Sequence, residues 1–219
     1  TSLTPMAHLT CVVHSRLELA EILIDFRKAG VENLLALGGD PPPEEEAGMG
    51  ELKHAIELVE LARAIGGFSI GVAAHPELHP NSNGDRRFDR DHLAAKLELA
   101  DFAITQFFFR LEDYLGLVDD LAERGLNKPI VPGLMPITNL SRTRRMAQLS
   151  GTDVPPEVVA RLEAVADDDA AQRKVGIEMA TELCQQLLDA GAPGLHFYTL
   201  NRSTATREIY ANLGLAGAH

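Results

Sequence analysis

A chain of 219 residues with 45% hydrophobic content can build one sizeable core and leaves little room for a second domain of ordinary size. Its formal net charge of −12 sets up a field that repels phosphate backbones and anionic lipid surfaces, which argues against nucleic acid or a membrane as partner. Any anionic ligand must therefore be held by a local positive patch.

The chain begins at Thr1 and enters an apolar run almost at once, which reads as a start inside a domain. Six short apolar runs follow one another, at residues 8–13, 33–39, 68–74, 102–108, 129–136 and 194–200. Buried parallel strands read this way because both of their faces are covered. Between them lie stretches of helical spacing. After the first run Ser15 can cap a helix over 16–29, with apolar positions at Leu17, Leu19, Ile22, Leu23 and Phe26 and Gly30 as the stop. Further helices are predicted at 51–65, 90–100, 111–124, 141–149, 156–165, 170–190 and 204–213. Strands separated by helices imply parallel neighbours. The expected fold is therefore α/β, with residues 1–219 as a single domain. Cys11 and Cys184 fall on a predicted strand and a predicted helix, without metal spacing or a disulfide framework, and read as small buried apolar residues. With no apolar run near the roughly 20 residues of a membrane span and no signal peptide, the reading is a soluble, cytoplasmic protein.

Chemistry is expected where parallel strands end, since side chains at their carboxyl ends converge. The second strand ends in Leu37, Gly38, Gly39 and Asp40, where glycines let a ligand approach the backbone and an acid can address a heterocycle or ribose. The Pro- and Gly-rich loops at 40–50 and 76–87 read as site-forming. His75, Glu77 and His79, in HPELHP, offer a cofactor contact or a metal site, though the prolines spoil helical ligand spacing. Gln106 sits among Phe107, Phe108 and Phe109, an amide and ring faces suited to a pteridine-like partner. Arg142, Arg144 and Arg145 open a helix whose dipole disfavours them, so they read as a solvated helix end or a landing patch for a carboxylate that Arg202 could join. No lysine falls at a predicted strand end, which disfavours a Schiff base, and no serine elbow appears. The chemistry is therefore assigned to a bound organic cofactor.

In order and spacing, PMAHLTC (5–11), ALGGDPP (36–42), GVAAHPELHP (71–80), AITQFFF (103–109), PGLMPITN (132–139) and HFYTLNR (196–202) resemble the methylenetetrahydrofolate reductase family, of the FAD-dependent bacterial type. The resemblance implies a (β/α)8 TIM barrel whose first two strand–helix units precede the given chain, together with a family glutamate acting as general acid. It also implies hydride transfer from NADH or NADPH, through FAD, to 5,10-methylenetetrahydrofolate, giving 5-methyltetrahydrofolate. Carried over by position, Asp40 is the acid beside the flavin. FAD contacts fall on His8, Leu37, Gly38, Gly39, His54, Ala55, His75, His79, Asp89, His92 and Lys96, with Lys96 on the diphosphate and Asp89 on a hydroxyl. Gln106, Phe108, Arg142 and Arg202 fall on the side of the reduced folate. Gly38, His75 and Met146 stand where many relatives carry Arg, Tyr and Phe, which keeps a flavin-independent reductase of the same substrate as an alternative. A metal-dependent barrel hydrolase and a non-catalytic folate-binding barrel are the other competing readings. A homo-oligomer is compatible with all of them.

Overall fold

The computed structural model describes residues 3–39 and 50–215. Six strands, β1 (Met6–Thr10), β2 (Asn33–Leu37), β3 (Ser69–Ala74), β4 (Phe102–Phe107), β5 (Ile130–Leu134) and β6 (His196–Phe197), form one sheet in chain order. The pairs β1/β2, β2/β3 and β5/β6 are parallel, with Leu35 opposite both His8 and Gly71, and Gly133 opposite His196. An order that never reverses is that of a barrel-type sheet rather than a doubly wound one, whose strand order switches direction. The helices are α1 (Arg16–Lys28), α2 (Ala55–Ile65), α3 (Arg86–Leu99), α4 (Leu111–Glu123), α5 (Leu140–Ser150), α6 (Pro156–Glu163), α7 (Asp169–Asp189) and α8 (Thr204–Asn212). The α/β expectation holds. Among the described residues, these strands and helices lie where the apolar periodicity puts them, with shifted ends.

Contacts divide the chain into two compact units, the first of residues 1–74, 87–104 and 121–129 and the second of the remainder. In the first unit, Ser15 caps α1 by accepting from the Glu18 amide at 3.2 Å, and the Glu18 carboxylate accepts from the Ser15 amide at 2.7 Å. That reciprocal pair satisfies two amides that the helix start leaves without partners. Leu19 and Leu23 of α1, Leu58 and Ala62 of α2, and Leu97 of α3 are fully buried, as are Leu34, Ala36, Ile70 and Val72 of the strands. Asp101 accepts from the Ile70 amide at 2.7 Å and from Arg63 at 2.6 Å, tying the end of α2 to β3. At the end of α3 the Lys128 ammonium donates to the Leu97, Glu98 and Ala100 carbonyls, where a helix C-terminus favours a cation.

The second unit is organised by α7. Asp168 caps it by accepting from the Ala170 and Ala171 amides at 2.9 and 3.0 Å. Gln172, 5% exposed, accepts from the Leu140 amide at 3.2 Å and donates to the Ala166 carbonyl at 3.0 Å. One turn on, Gly176 lets the helix lie on the chain entering α5, since a Cβ there would stand 2.2 Å from the Ile137 carbonyl oxygen. Ile137, Leu140, Val158 and Leu162 pack together beneath α5 and α6. These contacts fix where α5 begins.

Both cysteines are buried free thiols, as their sequence context suggests. Burial pushes the Cys184 thiol from its ordinary value of 9.0 up to about 12. Between those values the native state keeps a proton that the unfolded chain has released, so stability falls as pH rises. The slope from this group approaches about 1.4 kcal/mol per pH unit. Urea unfolding of wild type and Cys184→Ala at several pH values from 9 upward is expected to show a shallower alkaline decline in the variant. Parallel declines would remove this role from Cys184.

Candidate functional site

In the second unit, the ends of β5 and β6 open on a cavity of about 570 Å3. Met135 and Pro136 follow β5, Tyr198 to Leu200 follow β6, and Arg142, Thr143 and Met146 come from α5. Asp169, Arg173 and Arg202 add charged groups to its lining. Asn139 caps α5 by accepting from the Arg142 amide at 3.2 Å, which sets Arg142 in the first turn.

Three guanidinium groups thus line one cavity in an acidic protein. Arg173 is held two-pronged by Glu208 at 2.9 and 2.7 Å, which neutralises it and fixes its plane. Arg142 and Arg202 are exposed and make no ion pair among the described residues. They are the charges available to an incoming carboxylate. Arg144 of the same basic run pairs with Glu163 at 2.9 Å, so the run is divided between a helix tie and a cavity charge.

Tyr198 is held firmly in the cavity wall. Its hydroxyl donates to the Thr105 carbonyl at 2.9 Å, and its amide donates to the Leu134 carbonyl at 2.8 Å. Burial pushes the phenol up to about 12, so it stays a neutral donor. The Gly133 amide donates to the Thr105 hydroxyl at 2.8 Å, with Thr105 fully buried. After β6 the chain turns sharply through Leu200 and Asn201, at φ 47° and 61°, a region side chains rarely adopt. That turn brings Arg202 to the cavity, its amide donating to the Thr199 carbonyl at 2.8 Å.

His75 and His79 meet edge to face with ring centroids 4.5 Å apart. Glu77 between them turns elsewhere, accepting from the Asp153 amide at 2.7 Å. Among the described residues no group of three His, Cys, Asp or Glu side chains could hold a metal ion. The metal geometry read from HPELHP therefore has no third ligand within that motif. Gln106 is half-buried, and its side-chain oxygen accepts from the Phe107 amide at 3.0 Å, which assigns the other side-chain atom as the amide nitrogen, a donor. Phe108 is 2% exposed and stacks parallel to Tyr114 at 6.1 Å. Most of its ring is thus committed to the core, and what remains borders a small pocket with Phe109 and Leu134.

In the first unit, Leu37 and Gly38 are half-buried at the end of β2, and a Cβ on Gly38 would meet nothing within 4 Å. Open space adjoins that backbone. The Lys96 ammonium donates to the Ala73 carbonyl at 2.9 Å, at the carboxyl end of β3. Burial pushes it below its ordinary range, and the charge of Asp89 pulls it back. Asp89 is 8% exposed and paired with Arg90, itself 1% exposed. The helix starting at Arg86 rather than at 90 puts both inside α3, where the pair turns inward and Asp89 is already engaged. His8, His54 and His92 are exposed, Ala55 opens α2, and the His92 ring contacts the Phe88 carbonyl at 2.8 Å. Asp40 and most of the 40–50 loop lie outside the described residues.

Tyr198, Arg173 and Asp169 were missed by reading strand ends alone. Tyr198 stands inside HFYTLNR, where its phenol between aromatic and strand residues was the available signal. Nothing in the local sequence marks Arg173, which reaches the cavity from the first turns of a long helix.

A family model described as methylenetetrahydrofolate reductase matches residues 1–214. A probable methylenetetrahydrofolate reductase (NADPH) of Caenorhabditis elegans is 38% identical over 96% of this chain and 32% of its own length. The 5,10-methylenetetrahydrofolate reductase of Pectobacterium carotovorum subsp. carotovorum is 35% identical over 98% of this chain and 71% of its own length. An Arabidopsis thaliana methylenetetrahydrofolate reductase (NADH) is 38% identical over 96% of the chain and 38% of its own. The chain thus spans about a third of the nematode and plant relatives. A Clostridium thermocellum protein that binds two copies of 5-methyl-5,6,7,8-tetrahydrofolic acid shares the fold, with a TM-score of 0.65 at 13% identity, over 98% of this chain and 73% of that one. Among the described residues no helix is long and apolar enough to cross a membrane.

Proposed function

Since the chain belongs to the methylenetetrahydrofolate reductase family, we propose that it reduces 5,10-methylenetetrahydrofolate to 5-methyltetrahydrofolate with NADH or NADPH as hydride donor and FAD as bound cofactor. The observation that carries this reading is the cavity at the ends of β5 and β6 with Arg142 and Arg202 in its wall. A reduced folate carries a glutamate tail, and two cations without carboxylate partners among the described residues suit its carboxylates.

FAD, when bound, would relay hydride between nicotinamide and folate. The residues present fit such a group in two respects. The backbone at Gly38 is open where a planar ring could approach, and Lys96 keeps further N–H donors for a diphosphate after its bond to Ala73. On the folate side, Arg142 and Arg202 orient the tail, and the amide nitrogen of Gln106, whose oxygen is already engaged, can donate to a pterin carbonyl. Tyr198 stands in the cavity wall and moves no proton near neutrality. Asp40, by its carried-over position, supplies a negative charge that favours the cationic form of the folate.

Oxidation of NADH or NADPH by the purified protein, followed with and without methylenetetrahydrofolate, tests the reading, and the visible spectrum of the protein as purified tests the cofactor. Folate-dependent turnover with flavin bands is the expected result. Binding of folate without any turnover would instead favour a non-catalytic barrel. Asp40→Asn is expected to slow folate reduction about tenfold, one pKa unit's worth of stabilisation, while flavin reduction by NADH changes little. Stopped-flow absorbance that shows equal slowing of both half-reactions would remove this role from Asp40.

A further inference from the structure

We propose that Glu77 is a positioning residue. It fastens the turn bearing His75 and His79 to the linker between α5 and α6, and so keeps those imidazoles in register with the helix that carries Arg142. The kinetic consequence rests on the reductase reading above; the structural tie does not.

The tie joins residues 76 positions apart in the sequence, the Glu77 carboxylate accepting from the Asp153 amide at 2.7 Å. Its donor is main chain, so it reports where the linker lies rather than which side chain occupies position 153. A second contact runs beside it. Gly151, which ends α5 at φ 69°, lies so close to Pro80 that an added Cβ would stand 2.5 Å from the proline Cγ. The linker is also held from the β4 side, where the Thr152 hydroxyl donates to the Phe107 carbonyl at 3.2 Å. There Arg110 stands 3.5 Å from both Asp153 and Glu157.

The turn itself is wound tightly. Leu78 sits at φ 79°, a conformation that costs a non-glycine residue roughly 1–3 kcal/mol and persists only where its surroundings impose it. The Leu78 amide donates to the His75 carbonyl at 3.2 Å, the Asn81 amide to His79 Nδ1 at 3.1 Å, and the Ser82 hydroxyl to the His79 carbonyl at 2.7 Å. The internal bonds shape the turn, and Glu77 with Pro80 anchors it to α5. Burial holds the Glu77 carboxyl above its ordinary range, and the Asp153 amide offsets part of that rise. A glutamine oxygen can accept the same bond, whereas alanine cannot.

The test compares Glu77→Ala, Glu77→Gln and Asp153→Pro, the last deleting the donor. Carbon–proton NMR of the His75 and His79 rings reads the turn, and steady-state kinetics read the consequence. In Glu77→Ala both imidazole signals are expected to move, and kcat for folate reduction to fall about tenfold with KM within twofold, since small misplacement of reacting groups acts on the chemical step. Glu77→Gln is expected to restore both readouts, and Glu77→Ala on the Asp153→Pro background to add nothing further. A lowered unfolding midpoint with unmoved histidine signals and unchanged kcat would overturn the proposal, as would a glutamine variant that behaves like alanine. If the wild type shows no folate turnover, the reductase reading fails while the NMR comparison still decides the tie.

Discussion

Gly133→Ala is expected to cost about 3 kcal/mol of stability, at the upper end of what overpacking a close contact usually costs. A Cβ at this position in β5 would stand 2.1 Å from the Thr105 carbonyl oxygen and 2.8 Å from the Tyr198 ring. Neither can retreat cheaply. The Thr105 carbonyl accepts the Tyr198 hydroxyl and the Thr105 hydroxyl accepts the Gly133 amide, so pushing the two segments apart strains both bonds together. A buried acceptor left unpaired costs roughly 1–3 kcal/mol, and repulsion adds to it. For a chain of this size, about 3 kcal/mol lowers Tm by roughly 6–12 °C. Because Tyr198 lines the cavity, weaker substrate binding is expected alongside. Gly194→Ala is the control, since its Cβ would meet nothing within 4 Å and its φ is not positive. Calorimetry showing equal Tm for both variants would mean that β5 yields freely at residue 133.

The strand and helix pattern was legible because burial writes itself into local periodicity. β2 and β3 sit inside their predicted runs, and the Ser15 cap with Glu18 three residues on is a local signal that needs no tertiary knowledge. What misled was local too. The run 194–200 looks like one strand, yet β6 is only His196–Phe197, because the chain leaves the sheet through left-handed Leu200 and Asn201. Apolar composition cannot show a turn that no glycine marks. The inward-facing Asp89–Arg90 pair was equally hidden, since two adjacent opposite charges read as a solvated helix start. Of the site, the arginines near its rim could be named from their place after apolar runs. The partners that sort them, Glu163 for Arg144 and Glu208 for Arg173, lie 19 and 35 residues away and follow no spacing rule.

That sorting decides the second large effect. Arg142→Ala and Arg202→Ala are each expected to raise KM for methylenetetrahydrofolate about tenfold, and the double variant about a hundredfold. A hydrogen bond to a charged group contributes roughly 1.5–3 kcal/mol, and exposure places these two at the lower end. Rates of flavin reduction by NADH should stay within twofold, because on the proposed reading the tail belongs to the other substrate. The KM should also rise with ionic strength in the wild type and lose most of that dependence in the double variant, since exposed charges are screened over roughly 10 Å at 0.1 M salt. Arg144→Ala removes the same charge from the same helix but breaks a tie to Glu163, outside the cavity lining. It should leave KM within twofold. If Arg144→Ala raised KM as much as Arg142→Ala, bulk positive charge on α5 would be the cause, and a specific grip at the cavity would be refuted. The identity of the two cavity arginines matters because in a chain of net charge −12 the long-range field works against an anionic substrate. Local cations in a cavity wall are the means by which such a protein can bind one.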